Sequence, residues 1–149
     1  MKYIGIDPGA SGGLACIDSE GSIIEHIDMP KLGKEIDLYS LRDFILDHKD
    51  GFFLVEKCQY TPAVRGKGAY TFGMAVMAIN AACAVLDVKH EFVRPQKWKK
   101  EFELINKDKY ASIQKAIQLF PEHRKFLNFK TKDGRSESLL LAEYARRKY

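Results

Sequence analysis

Four carboxylates stand at positions from which they could work together. Asp7 ends the apolar run YIGI and opens directly onto Pro8 and Gly9, and Glu56 ends the run FFLV. Asp133 and Glu137 lie four residues apart, just ahead of the apolar stretch SLLLA, so on a helix they share one face. Carboxylates gathered without cations repel, and their pKa values rise. A hard divalent ion removes that repulsion and favours all-oxygen ligation, as Mg²⁺ and Mn²⁺ do. Two such ions roughly 4 Å apart would clamp the attacking water and the leaving oxygen of a phosphodiester. Taken singly, each acid also has a structural role open to it. Asp7 before Pro-Gly can start a turn, Glu56 can pair with Lys57, and Asp133 and Glu137 can serve as a helix cap and a first-turn acid.

The elements that must position these acids are legible in the pattern. KYIGID (2–7), GLACID and SIIEHIDM read as three strands joined by short turns, hence an antiparallel meander. Leu38, Leu41, Phe44 and Ile45 fall at helical spacing, predicting a helix over 38–48. GFFLVE then reads as a buried strand parallel to the first. The polar segment 57–68, with Pro62, Gly66 and Gly68, is a loop, and the small apolar residues from Ala69 to about Leu86 predict a buried helix. HEFVRP is a further parallel strand, 107–119 an amphipathic helix stopped by Pro121, and DGRSESLLLAEYARRKY a helix running to the last residue. The order β-β-β-α-β-α-β-α-α predicts an α/β fold: a mixed five-stranded sheet flanked by helices. Right-handed crossovers would set Asp7 and Glu56 at the carboxyl ends of neighbouring parallel strands, the edge where open α/β sheets bind ligands.

Length and composition fit one domain spanning 1–149, with NFKTKDG (128–134) a polar connection rather than a linker. The net charge of +4 suits a polyanionic partner. No apolar run reads as long enough to cross a bilayer, and no secretory signal is evident, so a cytoplasmic protein without a membrane partner is expected. Cys16, Cys58 and Cys83 are scattered and read as reduced core fillers, and the four histidines show no zinc spacing. Walker A is absent, so no nucleotide cofactor is expected.

IGIDPGASGGLACID, FLVEKCQ, GAYTFGMAVM and DGRSESLLLAEY together resemble the RuvC family of Holliday-junction resolvases, most of all its bacteriophage and prophage branch. The resemblance covers nearly the whole chain. It implies a ribonuclease H-like fold and a Mg²⁺-dependent, homodimeric endonuclease of a bacterial or phage-infected cell. Such an enzyme resolves four-way junctions, and other branched DNA, by paired symmetric nicks, with two Mg²⁺ per site and Mn²⁺ as substitute. By position, Asp7, Glu56, Asp133 and Glu137 match the family's catalytic and metal-binding acids. The bacterial enzymes space the last two acids three apart, whereas here the spacing is four and the last acid is Glu.

Basic residues cluster where DNA would be expected. Lys97, Lys99 and Lys100 lie in RPQKWKK, Lys107 and Lys109 just beyond, and Arg65 and Lys67 in the loop after Glu56. Lysine and arginine supply most nucleic-acid affinity by neutralising phosphates, and the resemblance brings Lys99 and Lys109 near the junction. Tyr60 in the same loop either wedges against an unstacked base or folds back as a staple. Trp98, a lone Trp among lysines, reads as a packing anchor before a base-stacker. The helix from Ala69 would form the dimer contact by resemblance, though its small side chains suit the protein's own sheet equally. Two other functions stand as alternatives: a ribonuclease H-like nuclease acting on RNA or an RNA–DNA hybrid, which the acidic cluster alone permits, and a non-catalytic branched-DNA binding module, against which the presence of all four acids argues.

Overall fold

The computed structural model describes residues 1–9, 11–57, 66–128 and 133–149, with the side chains of Lys67 and Asp133 outside that description. A five-stranded sheet forms the centre. Its first three strands, β1 (Tyr3–Asp7), β2 (Gly13–Ile17) and β3 (Ile23–Asp28), are the expected antiparallel meander. A small hairpin of β4 (Lys31–Leu32) and β5 (Glu35–Ile36) follows, turning on Gly33 at φ +63°. Then come α1 (Leu38–Asp47), β6 (Phe52–Glu56), α2 (Lys67–Val85) and β7 (His90–Val93). Strands β6 and β7 are parallel to β1, and the sheet order is β3-β2-β1-β6-β7. The chain ends with α3 (Pro95–Glu101), α4 (Lys109–Leu119), a 3-10 turn, α5 (Arg124–Leu127) and α6 (Asp133–Lys148).

Strand alternation divides the core into two layers. Ile4, Ile6, Phe53 and Val55 face α1 and α2, packing with Leu41, Phe44, Ile45, Ile79 and Cys83. Tyr3, Phe52, Leu54 and Val93 face the other way, against Trp98, Phe102, Ala116 and the residues of α6 from Leu139 to Ala145. Helix α6 is buried from Gly134 to Ala145. It lies backbone-close on the sheet because Gly5 has no side chain; a Cβ there would collide with the Ser138 carbonyl. Gly134 does the same against Ser11 and Gly12. The start of α6 is tied to β3 by Arg135, whose Nη2 donates to Asp28 Oδ2 at 2.8 Å and whose Nη1 donates to the Phe126 carbonyl at 3.0 Å. Cys16 and Cys83 are free and buried, and burial pushes both thiols up to about 11, as core fillers require; Cys58 lies outside the described residues.

Several expectations are corrected. Lys67 and Gly68, expected in the loop after Glu56, belong to α2. HEFVRP does not run through as strand: β7 stops at Val93, and Pro95 takes the first position of α3, where its missing N–H costs nothing. Helix α2 is not a buried helix. Ala75, Ile79 and Cys83 form its one buried stripe, while Tyr70, Met74, Met77, Ala81 and Val85 recur along the opposite face in solvent. By length and composition alone, Gly68–Val85 would also pass for a membrane span, at mean hydropathy 1.5, contrary to the sequence expectation. Its Ala and Gly content hides that signal from a search for bulky apolar runs. In the fold the helix connects β6 to β7, and its buried stripe packs into the core with Ile4, Ile6 and Phe53.

Candidate active site

Asp7 and Glu56 are the last residues of adjacent parallel strands, one step beyond the paired Ile6 and Val55. Parity along β1 and β6 puts both carboxylates on the face covered by α6, since Tyr3, Phe52 and Leu54 point there. Asp7 does begin a turn: the Gly9 N–H donates to its Oδ1 at 3.2 Å. The turn and working roles are therefore compatible, because a carboxylate has further lone pairs to offer.

Glu137, 8 % exposed, hangs from α6 over the same face. The Ser112 hydroxyl on α4 donates to its Oε1 at 3.2 Å, and Lys99 Nζ approaches the same oxygen at 3.2 Å. Glu56 Oε2 accepts the indole N–H of Trp98 at 2.7 Å. Consecutive residues of the short helix α3 thus hold the two glutamates, Trp98 on Glu56 and Lys99 on Glu137. Lys99 Nζ also lies 5.1 Å from the centre of the Trp98 ring. Burial, followed by the nearby Glu137 charge, pushes the Glu56 carboxyl up to about 7, against the opposing pull of Trp98 and Lys99.

Several expected site residues can be placed. Lys97 and Lys100 are exposed on α3, which leaves the sheet at the same carboxyl edge as Asp7 and Glu56. Lys109 opens α4 one turn before Ser112, with Lys107 exposed just ahead of it. Trp98 is fully buried, so it anchors packing and no base can stack on it. Tyr60 and Arg65 lie outside the described residues, as do the side chains of Lys67 and Asp133; Asp133 is the first residue of α6. Ser112 and the Trp98 N–H had no signal in the sequence, because their partners are 25 and 42 residues away.

The chemistry of the donors suits a hard cation. A buried carboxylate such as Glu56, its proton affinity raised by burial and by the neighbouring Glu137 charge, gains most from a dication, and oxygen is the donor type that both offer. Among the described residues no three or more His, Cys, Asp or Glu side chains gather as a ready metal cluster.

Superposition on solved structures decides the fold. RuvC of Thermus thermophilus in complex with Holliday junction substrate matches with TM-score 0.69, covering 99 % of this chain and 97 % of that one at 17 % identity. This is the RuvC fold. A second Thermus thermophilus RuvC structure matches with TM-score 0.65 and 20 % identity, over 99 % of this chain and 96 % of that one. No family model matches the sequence, and no curated protein does either. The ribonuclease H-like mixed sheet expected from the sequence is thus the observed one. Within this fold, α3 carries the two glutamate-holding contacts described above.

Proposed function

We propose that this protein is a metal-dependent endonuclease that resolves Holliday junctions, and other branched DNA, by paired symmetric nicks. The observation that carries this reading is the convergence of Glu56 and Glu137 on the face to which Asp7 also belongs, at the ligand-binding edge of a RuvC-like sheet. Asp7, Glu56, Asp133 and Glu137 would hold Mg²⁺, two ions per site, or Mn²⁺ in its place. Such ions, when bound, would supply the activation of water and the charge neutralisation that phosphodiester hydrolysis needs. The chain's own residues do the rest. Strand ends fix Asp7 and Glu56, α6 fixes Glu137, and Lys99 supplies a resident cation beside the acids. Lys97, Lys100, Lys107 and Lys109 would meet phosphates around that edge, as would Lys67 at the start of α2, and Tyr60 and Arg65 are proposed as further DNA contacts. The work is cytoplasmic, on DNA, and needs no nucleotide.

The test is substrate competition. With Mg²⁺, labelled four-way junction should be cut in two opposed strands while excess RNA–DNA hybrid or single-stranded RNA competes poorly. Preferential cutting of the hybrid would favour the ribonuclease H reading, and metal-independent binding with no cutting the non-catalytic one.

Paired cuts on a roughly two-fold substrate call for a symmetric homodimer. The exposed stripe Tyr70, Met74, Met77, Ala81 and Val85 of α2 supports it, since contiguous exposed apolar surface marks association. A groove beside this stripe, between α2 and the β4–β5 hairpin, adds Ile36 and Leu38 to the apolar area. Met77→Lys, at a position 62 % exposed, should fold normally yet shift light-scattering mass from dimer to monomer and abolish paired nicking. A wild-type protein monomeric both free and on junction DNA would remove the paired-nick mechanism.

A further inference from the structure

Trp98 is the chain's one tryptophan, and it is wholly buried among Leu54, Val93, Phe102 and the residues of α6. An indole has a single polar atom, a donor. Here that atom spends its hydrogen bond on a carboxylate oxygen, at the short 2.7 Å of a charge-assisted contact. The backbone of Glu56 is already fixed, because it pairs with Val93 at the end of β6. What the strand leaves undetermined is the rotation of the carboxylate. A rigid ring locked in the core removes that freedom by engaging Oε2, and it leaves Oε1 for another partner. We propose that Trp98 is the positioning residue of Glu56, presenting one of its oxygens to a divalent cation, an inference that rests on the metal-site reading of Glu56. Donors to a ligating carboxylate characteristically change metal affinity 10- to 100-fold when removed.

A buried Trp can also be purely a packing element, so the test must remove the N–H and nothing else. Because the chain has only one Trp, it can be replaced wholesale by benzothienylalanine, which keeps the bicyclic shape and puts sulfur where the N–H was. Trp98→Phe is the simpler companion. Mn²⁺ binding is measured by calorimetry without DNA, alongside thermal melting. The expected result is a wild-type protein that binds Mn²⁺, and a benzothienylalanine protein that melts near wild type but binds Mn²⁺ at least about 10-fold more weakly. In the wild type, the single indole N–H resonance should shift in step with added Mg²⁺. Wild-type Mn²⁺ affinity in the benzothienylalanine protein would overturn the positioning role while leaving the metal site standing. Failure of the wild type itself to bind Mn²⁺ would overturn the metal-site reading and the inference with it, so the two failures are told apart by which protein shows them.

Discussion

Asp7→Asn will bind a four-way junction and will not cut it. The substitution is close to isosteric, and the Asn side-chain oxygen can still accept the Gly9 N–H that Asp7 Oδ1 accepts at 3.2 Å. The turn after β1 is held further by the Gly12 N–H on the Gly9 carbonyl at 2.8 Å, which the mutation does not touch. Folding and the strand register with Gly13 should therefore persist. What disappears is one negative charge at the carboxyl edge of the sheet. Removing charge that would hold two dications forfeits several kcal/mol of transition-state stabilisation. At about 1.4 kcal/mol per tenfold, cleavage should fall by at least ~10³-fold. Junction binding should hold or tighten, because a carboxylate no longer repels phosphate. Gel-shift titration and single-turnover cleavage on the same junction separate the two effects. A variant that cuts at near wild-type rate would leave Asp7 as a turn-starter alone.

How far the site could be read from sequence depended on whether its parts were local. Asp7 and Glu56 were legible because each ends an apolar run, and crossover handedness places such strands side by side. Glu137 was legible because it precedes a run of leucines that must be core. Helix α3 was not, because seven residues carrying three lysines show no periodicity, and its role comes from contacts with β6 and α6 that are distant in sequence. The Arg135–Asp28 clamp, spanning 107 residues, was hidden for the same reason. The mistaken burial of α2 has a different cause. Small apolar residues at helical spacing suit a protein's own sheet and a partner's helix alike, so composition alone does not choose between them.

The second large effect is on stability, and it arises from Glu56. Its carboxyl is pushed up to about 7 by burial and the Glu137 charge, while in the unfolded chain it titrates near 4.5. The folded state therefore holds this proton more tightly. Stability from this group is intact below about 4.5 and is lost as pH rises through about 7, amounting to ~3 kcal/mol for the metal-free protein. Glu56→Gln removes the titration, and its side-chain oxygen can still accept the Trp98 N–H. The variant should match wild type near pH 4.5 and exceed it by up to ~3 kcal/mol at pH 8 in urea denaturation without metal. His26 slopes the opposite way. Burial lowers it to about 4, so its contribution grows as pH rises toward its ordinary value of 6.5. Both proteins contain His26, and the difference between them cancels it. Mg²⁺ at pH 8 should stabilise wild type, by relieving the carboxylate repulsion, and should do much less for the variant. Cleavage should be lost in the variant as well, so the more stable protein is the inactive one. Wild-type and variant stabilities that stay parallel from pH 5 to pH 8 would mean that Glu56 is solvated rather than strained. The case for a cation at this edge of the sheet would then lose its electrostatic support.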